Sequence, residues 1–329
     1  GRRLTEWKNL PLQDNIGESW EVSTHDLLPS VIANGTWAGY ELREVIAKMP
    51  EAILGKAVAK KYENQLPLQV KLIDTKSDLS VQVHPDDTMA QREHNDRGKT
   101  EMWYVVDAEK DAYIYAGFKE ELSPEEYAKR VADGSIIEAL AKHEIRTGDV
   151  FYIPAGRVHA IGKGVILVEI QQSSDLTYRI YDYGRMGLDG KPRELHTELA
   201  AQALDYQVYK EYKNSYTDSI DKANPCLDTE HFSVRVVSIK QAIRRNMIGY
   251  DSFVIQTCTK GACTVRIRST QDEIRLEESQ SCLIPAAIAD YDIIPISPEV
   301  KLLESYINNS TQSTLKKLIS QFLHMSSNV

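Results

Sequence analysis

The chain has 329 residues, 42% hydrophobic and 26% charged, which is ordinary for a globular protein and enough for two domains. Its formal net charge of −9 argues against nucleic acid or an anionic membrane as the main partner, so an anionic small substrate needs a local basic cluster. No apolar run approaches a membrane span, and the first residues lack the apolar core of a signal peptide.

The first predicted strand runs over 17–22, followed by helical spacing over 40–48 that ends near Pro50. Residues 66–74 and 79–84 read as strands separated by a Thr-Lys-Ser-Asp turn, and 102–106 and 112–116 as strands joined by a polar hairpin connection. Ser123-Pro124-Glu125-Glu126 is a helix start, with a serine cap, proline in the first turn and glutamate in the capping-box position. That helix runs to about 133, and a second helical piece over 136–142 completes an insertion near 119–142. A continuous apolar strand over 165–171 and a helix over 194–204 follow. Beyond Asn224-Pro225 the chain returns to strands at 231–239, 252–259, 262–267 and 281–284, with a terminal helix over 315–323. Many short strands with Gly/Pro turns favour an all-β architecture of barrels or sandwiches.

Three segments offer metal-type ligands beside these strands. Gln82 and His84 are two apart and leave an extended strand on one face. Glu101 opens the next strand-like run, and Gly148 to His159 delivers a histidine after a turn through Pro154 and Gly156. Two imidazoles, a carboxylate and an amide oxygen suit zinc or a similar divalent ion. The four cysteines (Cys226, Cys258, Cys263, Cys282) lie far from this set and form no CxxC pair, which predicts a reduced, cytoplasmic setting. Ser279, Pro285, Ala287 and Asp290 repeat the offsets of Gly148, Pro154, Gly156 and His159. The repeat predicts two related barrels, of which the first alone binds metal.

The Gly-x5-Pro-x-Gly-x2-His run resembles the second conserved motif of the cupin superfamily. More closely, LSVQVHPDD, GKTEMWYVV, IPAGRVHAIG and the Tyr178-Arg179 region resemble type I phosphomannose isomerases of the short bacterial form. The resemblance is specific over roughly residues 10–200 and weaker to the end. It implies a mainly β protein of two cupin-type jelly-roll barrels with a short helical insertion and connecting helices. Residues 1–200 would form the catalytic metal-binding domain, and 201–329 a linker and a degenerate second domain without metal. It further implies one Zn2+ per chain on Gln82, His84, Glu101 and His159, and interconversion of mannose 6-phosphate and fructose 6-phosphate.

The same resemblance makes Arg179 catalytic and suggests Ser80, Lys99 and Arg185 for the phosphate side. Lys99 could also shuttle a proton, its pKa lowered by the ion. Enterobacterial relatives carry a His-Lys pair where this chain has Gly98-Lys99, so a histidine base at that position is lacking. Trp20 and Tyr104 read as core aromatics rather than sugar platforms, and Arg157 as a residue of the turn. Two other classes compete. A cupin oxygenase would want histidine-rich ligation of iron, against which Gln82 counts. A non-catalytic metal-binding bicupin that senses or stores sugar phosphate would not need Arg179.

Overall fold

The computed structural model describes residues 2–11, 16–187 and 190–309; the helix expected over 315–323 lies outside them. Two compact units emerge, Gly1–His25 with Leu68–Ser215 and Asp26–Pro67 with Tyr216–Val329. The division is therefore not two contiguous stretches meeting at 200. Residues 26–67 group with the later unit because the Asp251 carboxylate accepts from the Lys56 and Ala57 N–H groups at 2.9 and 2.8 Å. The Phe253 N–H also donates to the Leu54 carbonyl at 3.2 Å.

The first unit contains strands β1 (Glu18–Val22), β2 (Leu68–Asp74), β3 (Val81–Val83), β4 (Glu101–Ala108), β5 (Tyr113–Phe118), β6 (Leu140–Glu144), β7 (Val150–Ile153), β8 (His159–Ile161), β9 (Val165–Gln172), β10 (Tyr178–Tyr181) and β11 (Lys213–Asn214). They form two antiparallel sheets, ordered β1-β2-β9-β4-β7-β11 and β10-β3-β8-β5-β6. Trp103, Val105 and Leu167 of one sheet meet Ile114, Ala116 and Ile161 of the other in one core. This is the double-sheet jelly roll expected of a cupin barrel. Strand alternation sends Val81 and Val83 the other way, into an outer apolar layer with Tyr127, Ile136, Ala200 and Leu204 from the helical segments.

The helical insertion starts as its cap predicts: Ser123 Oγ accepts from Glu126 N–H, the helix spans Pro124–Asp133, and Gly134 ends it with φ 79°. The second helical piece is shorter than expected. A 3-10 turn covers Ser135–Ala139, and residues 140–142 instead enter β6, where Lys142 pairs with Tyr115.

The second unit contains β12 (Lys222–Asp228), β13 (Ser233–Ile239), β14 (Ile243–Asn246), β15 (Val254–Lys260), β16 (Ala262–Ile267), β17 (Glu273–Glu277), β18 (Ser281–Ile284), β19 (Asp290–Pro295) and β20 (Val300–Tyr306). Its sheets are ordered β12-β13-β20-β15-β18 and β14-β19-β16-β17. These orders reproduce β1-β2-β9-β4-β7 and β3-β8-β5-β6 strand for strand, so the second unit is a second cupin barrel. Pro225, read from sequence as a break, sits inside β12, which its edge position permits.

The repeat has a structural basis. Gly148 and Ser279 both adopt positive φ, 91° and 66°, immediately before matching strands. One offset differs from the sequence expectation. The inward residue of β19 is Tyr291, whose neighbours are core, whereas Asp290 faces Arg244. A 3-10 turn at Ala286–Ile288 lengthens the connection after Pro285, so Tyr291 rather than Asp290 faces inward as His159 does.

Candidate metal centre

Register builds the site. β3 pairs Gln82 with His159 on one side and with Arg179 on the other, giving an inner row Arg179–Gln82–His159. In the opposing sheet Glu101 pairs with Gln171, and Gln171 with Gln69. Two residues along, the next inner row is Trp103–Glu169–Lys71–Trp20. His84 follows β3, and its carbonyl accepts from Gly156 N–H at 2.9 Å, tying it to the turn that carries His159. That turn needs glycine: Gly156 has φ 87°, and a Cβ would sit 3.0 Å from the Ala203 carbonyl.

His84, Glu101 and His159 form a buried group whose candidate ligand atoms all lie within 4.8 Å of one another. His84 Nε2 is 3.4 Å from Glu101 Oε2, and His159 Nε2 is 3.4 Å from Glu101 Oε1. Gln82 Nε2 lies 3.2 Å from His159 Nε2, and turning the amide through 180° presents Oε1 there instead. A tetrahedral ion with bonds of ~2.0–2.1 Å spaces its ligands about 3.3–3.4 Å apart, which the His84–Glu101, Glu101–His159 and Gln82–His159 spacings match.

Their protonation fits too. His84 Nδ1 lies 2.8 Å from the Leu176 carbonyl and His159 Nδ1 2.8 Å from the Arg157 carbonyl, so each Nδ1–H donates there and Nε2 is left as a ligand. Burial, then the charges of Lys99 and His159, hold the His84 pKa well below its ordinary value; burial lowers that of His159 against the pull of Glu101. Both rings are neutral, as ligation requires. His84 Nε2 and both Glu101 oxygens are buried without a hydrogen-bond partner, which an ion would remedy.

Beside the ligands lies a charged cluster that the sequence reading only touched. Lys99 is buried, with Nζ 3.6 Å from Glu101 Oε2. Burial alone would lower its pKa, but without an ion Glu101, Glu169, Asp175 and Glu18 outweigh burial and hold the value above normal. Glu169 accepts from Trp103 Nε1–H at 2.9 Å, and burial, then the charge of Glu101, raise its pKa. Lys71 Nζ stands 3.8 Å from Glu169 and 4.5 Å over the Trp20 ring. A charge inside the apolar run 165–171 was the signal that could have exposed Glu169.

Arg179 makes no ion pair with Asp175 or Asp182 among the described contacts. Its Nη1 donates to the Glu194 carbonyl at 2.9 Å and its buried Nε has no partner. Arg185 and Arg193 converge instead on the Asp182 carboxylate, with Arg185 Nη1 also donating to the Asp78 carbonyl at 2.6 Å. Arg193 is the member of this basic group that the sequence reading missed. Ser80 is buried just before β3, in alternation with Gln82. Arg157 is occupied elsewhere, 4.8 Å over Tyr209 and bonded to the Tyr152 carbonyl. Tyr104 is core, whereas Trp20 is only half-buried. At Gly98 a Cβ would lie 2.5 Å from the Asp86–Asp87 backbone, so the position admits no side chain.

Known proteins resemble this chain in sequence and fold. The family described as phosphomannose isomerase type I, catalytic domain, matches residues 6–122. Mannose-6-phosphate isomerase ManA of Bacillus subtilis is 36% identical over 237 residues, 71% of this chain and 73% of that one. A mannose-6-phosphate isomerase of Streptococcus mutans is 40% identical over 191 residues, 58% of each chain. The crystal structure of the mannose 6-phosphate isomerase from Bacillus subtilis superposes with a TM-score of 0.81 at 30% identity, covering 93% of this chain and 94% of that one. Shared sequence, shared double barrel and a buried His–Glu–His group lead to one conclusion: the chain belongs to the type I phosphomannose isomerase family.

Proposed function

We propose that this chain is a zinc-dependent aldose–ketose isomerase that interconverts mannose 6-phosphate and fructose 6-phosphate through an enediol. The observation that carries the reading is the buried set of ligand atoms with His84–Glu101, Glu101–His159 and Gln82–His159 spacings of 3.2–3.4 Å, with an arginine in the same inner row that forms no ion pair among the described residues. A zinc ion held by Gln82, His84, Glu101 and His159 would supply Lewis-acid polarisation of a sugar oxygen. Gln82 contributes no charge, so one carboxylate leaves the centre net positive.

The chain's own groups divide the remaining work. Arg179 stabilises the developing enediolate by charge-assisted hydrogen bonds, for which its unpartnered Nε is available. Lys99, buried 3.6 Å from Glu101, grips the sugar phosphate or the enediolate. Glu169, buried with a raised pKa one inner step from the Gln171–Glu101 pair, is the better proton carrier between C1 and C2. Ser80 and Arg185 complete the phosphate side, where Arg185 and Arg193 outnumber Asp182 and leave a local positive charge in an acidic protein. The reaction belongs to the first unit, with the second as a metal-free barrel. Four free cysteines support a cytoplasmic setting.

A coupled assay for fructose 6-phosphate, run on metal-replete and chelated protein, tests the reading. Turnover that needs the metal is expected; none in replete protein would sink it. The non-catalytic bicupin is disfavoured because it gives no reason to hold Arg179 unpaired at the site.

A further inference from the structure

Seven buried side-chain polar atoms lack a hydrogen-bond partner among the described residues, and five of them surround this one site: His84 Nε2, Glu101 Oε1 and Oε2, Gln171 Oε1 and Arg179 Nε. An ion answers for His84 and Glu101, and a developing oxyanion for Arg179. Gln171 Oε1 is unexplained. The residue is fully buried, and its register partner is Glu101, so its side chain enters the barrel beside a ligand.

The orientation of that amide is fixed. Its nitrogen donates to the Ser174 carbonyl at 2.6 Å, the Gln172 carbonyl at 3.1 Å and Gln69 Oε1 at 3.2 Å. Turning it over would set Oε1 against three oxygen acceptors. The nitrogen thus has more acceptors than hydrogens, while the oxygen has no donor. Leaving a buried acceptor unmade costs about 1–3 kcal/mol, so the arrangement opposes stability unless a donor arrives with a ligand. Lys99 is not that donor in this structure, where no hydrogen bond reaches Gln171 Oε1 among the described residues.

We propose that Gln171 Oε1 accepts a hydrogen bond from one hydroxyl of the hexose chain and thereby sets the sugar's position beside Glu101. The inference rests on the isomerase reading for the identity of the ligand. Gln69 and the Ser174 and Gln172 carbonyls hold the amide in place. A sugar hydroxyl suits the position because it brings the missing hydrogen and can still accept elsewhere.

The test uses metal-loaded protein and a series of hexitol 6-phosphates, each lacking one hydroxyl, which bind without turning over. Calorimetry compares wild type with Gln171→Met, after melting temperature and metal content confirm that the variant is intact. Binding of the parent hexitol phosphate should weaken about 10–100-fold in the variant, as loss of one buried hydrogen bond predicts. One analogue, that lacking the partner hydroxyl, should bind both proteins equally. An equal loss across every analogue, or no loss at all, overturns the proposal. Gln171→Asn, which retracts the acceptor but keeps the amide, replaces the Met variant if that one does not fold. Because binding is read without turnover, an inactive wild type would sink the isomerase reading while the hydroxyl cycle still decides the role of Gln171.

Discussion

In the first barrel the inner positions of neighbouring strands β4, β9 and β2 are Trp103, Glu169 and Lys71; in the second, β15, β20 and β13 place Gln256, Glu304 and Arg235 in the same row. Both rows centre on a buried glutamate, but the two carboxylates are treated differently. Glu304 accepts from Arg245 at both oxygens (2.6 and 2.9 Å), from Gln256 Nε2 at 2.9 Å and from the Tyr291 hydroxyl at 2.9 Å. Among the described residues Glu169 accepts only from Trp103, with Lys71 out of hydrogen-bond range at 3.8 Å. Arg245 and Tyr291 are register partners on the inner face, as Gln82 and His159 are. Where one barrel keeps ligands for an ion, the other has built a cation and a phenol from its own chain. Saturating a carboxylate produces a closed core, whereas withholding partners leaves chemistry for a ligand to complete.

The comparison breaks most sharply at His159. His159→Ala should abolish metal uptake and reduce turnover by at least about 10³-fold, measured by metal analysis and the coupled assay, while hydrogen exchange in β13, β15 and β20 stays unchanged. Slowed or faster exchange there would mean that the barrels are not independent in this respect. Arg179→Lys should cost about 10²–10³-fold in kcat with full metal content, because a preorganised fork is lost and charge is kept. Loss of metal instead would make Arg179 a structural support of Gln82.

Breaking the second barrel should act on stability alone. Arg245→Met leaves the buried Glu304 carboxylate with only Gln256, Tyr291 and the more distant Arg235 (4.0 Å) among the described residues, and should lower unfolding free energy by about 3 kcal/mol. Replacing both residues, Arg245→Met with Glu304→Leu, should recover most of that loss, which denaturant titration can check. A double variant as unstable as the single one would show that the pair contributes more than mutual neutralisation. The smallest effect belongs to Ser80→Ala, for which KM should rise less than about tenfold with kcat unchanged, as for one neutral hydrogen bond lost. A change in kcat would move Ser80 from holding the phosphate to the reacting end.

The ligand segments were legible because each carries local punctuation. Ser123 with Pro124 announces its helix, and Pro154 with Gly156 announces the turn before His159. Glu169 was hidden inside a strand that reads as purely apolar, and Gln171 became meaningful only once register set it opposite Glu101. Tyr291 was displaced by one residue because spacing alone does not reveal that a 3-10 turn follows Pro285. The grouping of residues 26–67 with the second unit depends on Asp251, nearly two hundred positions away, and no local pattern encodes that.

Gly98 narrows the evolutionary routes open to this chain. The peptide that would collide with a side chain there belongs to Asp86 and Asp87, and Asp86 caps the helix Asp87–His94 through the Met89 N–H. The Gly98 N–H in turn donates to Asp87 Oδ1 at 2.8 Å, so the two segments are bonded as well as in contact. A histidine at this position would therefore require that helix start to move first.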